Sequence, residues 1–274
     1  MNVDFLYRQA LAQIMHEEPI VTRNHSVMSA FDVPPFYFDE VPLVTVRKVA
    51  WKKALKEWEW FMSGNLKCPD ELLSWWDGQL AEDGCYYDGY SEQFRGTKRG
   101  YDKIKGFLKD LDHPYSRRHC FSTWNSRQMR NITRRNKNKN TPACCHTTML
   151  QAFVREGRLS FVSYQRSGDM LLGVPHNWVQ TWAFLLYCCY HKGLKPGRLI
   201  WVLGDAHIYN HESHLAVVND ITMLAIGYNQ KNETEMVYKG TDRKDEKGVP
   251  VFLADDFEVK NLAEPKVFGR PVMF

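Results

Sequence analysis

No apolar run in this 274-residue chain is long enough to cross a bilayer. Met1 to Met15 lacks a basic segment followed by an apolar one, so no signal peptide is expected. No Pro-, Gly- or Ser-rich linker, internal repeat or low-complexity tract divides it, and residues 1–274 read as a single domain. Zinc-finger spacing is missing too. Cys188-Cys189-Tyr190-His191 has no second half, so no metal site is expected. The seven cysteines are odd in number and include two adjacent pairs, Cys144–Cys145 and Cys188–Cys189, which rarely bridge to themselves. A reducing setting follows, cytoplasmic or, for a viral protein, the host cytoplasm. A strong charge of one sign is also lacking. The net +4 suits a small anionic substrate but is too weak by itself to indicate nucleic acid. The most basic stretch, Arg127 to Asn140, has no interleaved aromatics on which bases could stack, and reads as an exposed, solvated loop.

What is present is apolar material in ordered patterns. At 44% hydrophobic, the chain can fill one large core. Trp51, Leu55, Trp58 and Met62 form one helix stripe, stopped by Gly64-Asn65. Trp75-Trp76-Asp77-Gly78 reads as a helix end or turn, Asp83 to Gly100 as loop, and Tyr101 to Leu111 as a short amphipathic helix. Ala152 to Val154 and Leu159 to Tyr164 are strand-like and joined by a hairpin signal, Arg155-Glu156-Gly157-Arg158. Trp178, Trp182, Leu185, Leu186 and Cys189 mark a buried helix, and Leu199 to Leu203 a short strand. Hairpins with separate long helices predict an α+β fold. Trp58, Trp60, Trp178 and Trp182 read as packing, and Cys188 and Cys189 as buried and inert.

Four stretches hold more reactive side chains than a core needs: Ser116-Arg117-Arg118, Cys144-Cys145-His146, Gln165 to Asp169 continuing through Gly173 to Asn177, and Gly204 to Tyr209. Paired arginines offer planar forks for phosphate oxygens. A cysteine beside cationic groups becomes a nucleophilic thiolate. An Asn amide carries a donor and an acceptor, and can read an edge such as that of uracil. His and Tyr two residues apart can bond a sugar hydroxyl. Together they describe a site for a phosphorylated pyrimidine nucleoside attacked by sulfur.

The run CHTTMLQAFVREGRLSFVSYQRSGDMLLGVPHNW, followed by GDAHIY, resembles the signature of the thymidylate synthase family. Weaker matches extend the likeness over nearly the whole chain: PLVTVRK at Pro42 to Lys48, EWEWF at Glu57 to Phe61, Trp76-Asp77, GYSEQFR at Gly89 to Arg95, SRRHCFSTWN at Ser116 to Asn125, and the apolar ending Arg270 to Phe274. The resemblance implies a large mixed β-sheet flanked by helices, a homodimer packed sheet to sheet, dUMP as substrate and 5,10-methylenetetrahydrofolate as one-carbon donor. It implies that Cys145 attacks C6 of the uracil ring and that Arg166 binds phosphate and helps hold the thiolate. Arg23 and Ser167 join Arg166 at the phosphate, and Arg117 and Arg118 do so from the partner subunit. Gln165 and Gly168 belong to the same substrate-binding stretch, Asn177 reads the base, and His207 and Tyr209 hold the 3′-hydroxyl. Glu57 and Tyr90 manage proton and ordered-water steps. Asp169, Trp76 and Gly173 lie at the folate, and the tail, with Met273, closes over it.

The chain departs from the family pattern in places. One extra residue lies between the Cys-His pair and Gln151, taken up by a bulge or else shifting the nucleophile to Cys144; His146 favours Cys145. Gln79 stands near a usual second Trp, Ala50 replaces a His, His176 replaces a Phe, and Arg23-Asn24-His25-Ser26 replaces Arg-Thr-Gly-Thr. His176 and Gln79 could admit a water, so hydroxymethylation of dUMP competes with methylation, which is favoured. Asn177, where cytidylate-acting relatives carry Asp, makes cytosine a poorer fit. A non-catalytic nucleotide- or RNA-binding protein would have no need of Cys145.

Overall fold

A computed structural model describes residues 2–22, 25–96, 100–227 and 232–266. Its elements, in chain order, are α1 (Val3–Ile14), β1 (Ile20–Val21), β2 (Ser26–Ala30), β3 (Phe36–Phe38), α2 (Trp51–Ser63), α3 (Leu73–Trp76), α4 (Tyr90–Arg95), α5 (Lys103–Asp110) and β4 (Cys120–Phe121). There follow α6 (Ser126–Met129), α7 (Ile132–Arg135), β5 (Met149–Arg155), β6 (Arg158–Asp169), α8 (Val174–Lys192), β7 (Lys195–Tyr209), α9 (Glu212–Thr222), β8 (Glu235–Tyr238) and β9 (Phe257–Lys260).

Among the described residues, seven strands make one mixed sheet in the order β1-β2-β7-β6-β5-β4, with β3 also paired to β7. Only β6 and β7 run parallel, and α8 is their crossover. The β5–β6 hairpin turns through Glu156 and Gly157, both at positive φ (51° and 71°), as a type I′ turn requires. Along β6, Leu159, Phe161, Ser163 and Gln165 are buried while Tyr164 and Arg158 are exposed, the period of two of a half-covered sheet. Tyr37, Met149 and Tyr164 are exposed, and Met149 pairs with Tyr164.

Helix α8 lies between the sheet and α2, which explains why its apolar residues surround it completely. Trp178, Phe184, Leu185, Tyr187 and Cys188 are fully buried, and truncating Trp178 to Ala would cost about 3–5 kcal/mol. Gly64 ends α2 at φ 80°, a left-handed position where glycine has no steric penalty. The four expected packing tryptophans are buried, as are Cys188 and Cys189, whose thiol pKa values burial raises.

Two expectations need correction. The stretch 83–100 holds helix α4, and 127–140 holds most of α6 and all of α7 where an exposed loop was expected. Their periodicity was hidden because α4 buries polar side chains. Glu92 accepts from the Asp88 amide and pairs with Arg135, Gln93 bonds Gln128, and Arg95 pairs with Asp102 and Asp245. The basic run is thus partly consumed by internal pairing, and Ile132 and Asn136 are buried within it. The two short strands predicted at 159–164 and 199–203 are also longer, because both continue into the polar motifs.

Candidate active site

The polar halves of β6 and β7 run side by side in parallel register, with Gln165 opposite Leu203, Ser167 opposite Asp205 and Asp169 opposite His207. This pairing joins two motifs 38 residues apart in sequence. Beneath them, α8 begins at Val174, and α2 and α3 close the other side of a cavity of about 980 Å³. Glu57, Trp76, Tyr90, Cys145, Asp169, Gly173, Asn177 and Tyr209 all line it.

Cys145 lies in the loop before β5 and is partly accessible, whereas Cys144 is fully buried beside Tyr86, and burial raises its thiol pKa. The extra residue before Gln151 falls in a tight turn, with Thr147 at φ 49°. The β5 register with β6 is unbroken from Met149, so no strand bulge is involved. Tyr90 anchors the nucleophile loop. Its hydroxyl accepts from the amides of Cys145 (2.7 Å) and His146 (3.2 Å) and donates to Cys145 Sγ (3.5 Å). With both lone pairs engaged, its one proton is directed to sulfur. Burial, then the neighbouring cysteines, raise the Tyr90 pKa well above its ordinary value, so it remains a donor. His146 stacks on Tyr90 at 4.4 Å between centroids, and burial lowers its pKa to about 3.

Asp205 collects three donors: Ser29 Oγ (2.6 Å), Ser167 Oγ (2.7 Å) and His207 Nδ1 (3.3 Å). Burial opposes its ionisation, but these donors win and lower its pKa to about 2. Burial likewise opposes charge on His207, and Asp205 reverses the balance, raising the His207 pKa. Ser167 therefore spends its proton inside the protein. Arg166 touches Cys145 through the main chain, its N–H donating to Cys145 O (2.9 Å). Its guanidinium rests 5.4 Å over the exposed ring of Trp124. Gly168 is tightly packed: a Cβ there would come within 2.5 Å of Val174 and 2.6 Å of the Gln165 amide. Arg117 and Arg118 are exposed and do not line this chain's own cavity. Arg23 and Met273 lie outside the described residues.

The opposite wall is aromatic, with Trp51, Trp75 and Trp76. Trp76 Nε1 donates to Glu57 Oε1 (2.7 Å), and Gln180 Nε2 to Glu57 Oε2 (2.8 Å). Burial still raises the Glu57 pKa above the usual carboxylate range, against both donors. Asp169 Oδ1 accepts from the amides of Leu171 (2.7 Å) and Leu172 (3.0 Å). Its Oδ2 is buried with no partner among the described residues, an acceptor available to an N–H donor. His176 donates from Nδ1 to Leu172 O (2.7 Å) and accepts at Nε2 from the Ala50 amide (3.2 Å). Burial, and then Arg47, lower its pKa to about 4. Both nitrogens are in use, so His176 has no group left to orient a water, contrary to the expectation from its sequence position.

The sequence model of the family described as thymidylate synthase matches residues 16–267. The chain belongs to the thymidylate synthase family. A thymidylate synthase of Mycoplasma genitalium is 29% identical over 267 residues, covering 84% of each chain. One of Corynebacterium aurimucosum is 36% identical over 180 residues, 63% of this chain and 64% of its own. One of Cereibacter sphaeroides is 31% identical over 209 residues, 63% and 67% respectively. The large mixed sheet with flanking helices fits the thymidylate synthase fold. Among the described residues there is no group of three His, Cys, Asp or Glu suited to a metal ion, and no helix long and apolar enough to cross a membrane.

Sequence reasoning missed Asp205 as the hub that gathers Ser29, Ser167 and His207, and Gln180 altogether. A signal for Gln180 was present: an amide three residues after Asn177, on the same helix face, inside an apolar run.

Proposed function

We propose that this chain converts dUMP to dTMP by reductive methylation, with 5,10-methylenetetrahydrofolate as co-substrate. It is a pyrimidine C5 methyltransferase of the thymidylate synthase family. The observation that carries the residue-level reading is the opening of Cys145 Sγ onto the same cavity as the Asn177 amide, with the Tyr90 hydroxyl on the sulfur.

In this reading the Cys145 thiolate adds to C6 of the ring, and the C5=C6 electron pair forms the bond from C5 to the one-carbon unit, whose bonds to the folate nitrogens break in turn as the C5 proton is lost. Hydride transfer to the exocyclic carbon then restores C5=C6 and releases the thiolate from C6. The folate supplies that unit and the hydride that completes the methyl group. Asn177 reads the uracil edge, its amide matching O4 and N3–H. Tyr90 stabilises the thiolate. Glu57, held between Trp76 and Gln180 with a raised pKa, moves a proton at the base. His207, kept with Nδ1–H towards Asp205, turns Nε2 to the 3′-hydroxyl, and Tyr209 joins it. Arg166, Ser167 and Arg23 bind phosphate, which requires Ser167 to release Asp205 and Arg166 to leave Trp124. The folate lies against Trp76, Gly173 and Asp169, and Met273 covers it. A symmetric homodimer packed sheet to sheet would cover Tyr37, Met149 and Tyr164 and carry Arg117 and Arg118 to the partner's phosphate. The free cysteines suit the reducing cytoplasm.

The test is the mass of the products after incubation with dUMP and methylenetetrahydrofolate. Thymidylate with dihydrofolate is expected. Hydroxymethyl-deoxyuridylate with tetrahydrofolate would replace this reading with hydroxymethylation, and an unchanged nucleotide would remove the enzyme reading.

A further inference from the structure

Gln180 is fully buried in the middle of α8, among Trp, Val, Thr and Ala. A buried primary amide persists only if its groups are paired. Nε2 of Gln180 donates to Ala54 O (2.9 Å) and Glu57 Oε2 (2.8 Å), and its Oε1 accepts from Asn177 Nδ2 (3.1 Å). A main-chain carbonyl can only accept, so Ala54 fixes which end of this amide is nitrogen. On the far side, Gln165 Nε2 donates to Ser167 O (3.0 Å) and to Asn177 Oδ1 (3.2 Å), so a second carbonyl fixes Gln165. Asn177 stands between them with its oxygen facing an N–H and its nitrogen facing an oxygen.

We propose that Gln180 is a positioning residue that sets the polarity of the Asn177 amide, and so the preference for uracil over cytosine, and couples that amide to the Glu57 carboxylate. The proposal rests on the roles given above to Asn177 and Glu57. Turned over, the Asn177 amide would meet nitrogen with nitrogen at Gln165 and oxygen with oxygen at Gln180, in a buried place where neither clash can be relieved by water. Cytosine presents the inverse of the uracil edge and calls for that inverted amide. Glu57 is faced by Gln180 from α8, by the Trp76 N–H from α3, by Lys53 from its own helix, and by the neutral Cys68 and Tyr86. Gln180 therefore contributes one of the two direct donors that favour the ionised carboxylate against its burial.

Gln180→Leu removes the amide at similar length, while Gln180→Glu keeps an acceptor for Asn177 but gives Glu57 a second carboxyl in place of a donor. The measurements are the dissociation constants of dUMP and dCMP and the pH profile of kcat/KM for dUMP. In Gln180→Leu the dUMP-to-dCMP preference should narrow about tenfold or more, and the acid limb should move to higher pH. In Gln180→Glu the preference should persist while the acid limb rises, because two carboxyls then share the pocket. If Gln180→Leu binds both nucleotides with the wild-type ratio and keeps its acid limb, the proposal is overturned; equal weakening towards both nucleotides with an unmoved limb would show a structural role only, and overturn it too. Should Gln180→Leu not fold, an unmoved acid limb in Gln180→Glu is decisive against the coupling. Wild-type protein is assayed first. If it does not turn over dUMP, the functional reading itself fails and this proposal with it, whereas an active wild type with unaffected variants removes only the relay.

Discussion

The two walls of the cavity are built on different physics. On the wall that carries Cys145 and Asn177, the nucleophile-side loop and the Asn177 amide are bonded in place before a substrate arrives. Tyr90 holds the nucleophile loop with three contacts, and Asp205 gathers three donors. The facing wall of Trp51, Trp75 and Trp76 relies on apolar surface. The departures that the resemblance marks at Ala50, Gln79 and His176 fall beside that aromatic wall. His176 is bonded there to two main-chain groups, while the apolar surface around it accepts any side chain of suitable shape.

Mutations can break this contrast. Cys145→Ala should abolish turnover while dUMP binding, followed by calorimetry, persists; retained turnover would move the nucleophile to Cys144. Tyr90→Phe removes the proton aimed at sulfur and leaves two buried amides unpaired, so kcat should fall about a hundredfold. A loss of binding alone, with kcat intact, would deny Tyr90 its place at the sulfur. Asp205→Asn keeps the shape but removes the charge that orients His207. KM for dUMP should rise about tenfold, and the His207 pKa, followed by NMR titration, should fall towards its ordinary value.

The second wall should respond mildly. His176→Phe restores an aromatic ring of similar size, and the product should remain thymidylate. Its signature is in stability. The folded-state pKa of His176 is about 4 against an ordinary 6.5, so folding favours the neutral ring. That stability is fully present above pH 6.5 and is lost as pH falls towards 4. His176→Phe should therefore make the dependence of unfolding free energy on pH shallower by about 1.4 kcal/mol per pH unit in that window. His146, with its pKa near 3, would supply the slope that remains. Chemical denaturation at a series of pH values measures this, and an unchanged slope would mean that His176 is not held neutral.

These differences also mark what the sequence discloses. Helices α2 and α8 and the β5–β6 turn were legible because apolar spacing and a Glu-Gly pair report directly on local geometry. The motif residues were legible because unusual side chains recur in a fixed order. Helix α4 was not, since beside Tyr90 and Phe94 it buries Ser91, Glu92, Gln93 and Arg95, and polar positions in sequence look solvated. Helices α6 and α7 are four residues each with a single buried apolar side chain, Met129 and Ile132, too short to show a period. The Ser167–Asp205 contact depends on the parallel register of β6 and β7, which no local pattern encodes. His176 looked like a polar opening in the folate wall, but its partners are two main-chain groups, and no side-chain pattern announces those.

Helix α8 is both the centre of the core and the element that presents Asn177 to the cavity, with Gln180 buried behind it. A segment enclosed on all sides releases its amide protons to deuterium only when the whole molecule opens. The amides of the buried middle of α8, Gln180 included, should therefore exchange at the rate of global unfolding, with the exposed Glu156–Gly157 turn orders of magnitude faster. In this protein the residue proposed to read the base is bonded to a residue on one of the slowest parts of the chain to open, so selectivity for the base should persist unchanged up to the temperature at which the fold itself is lost.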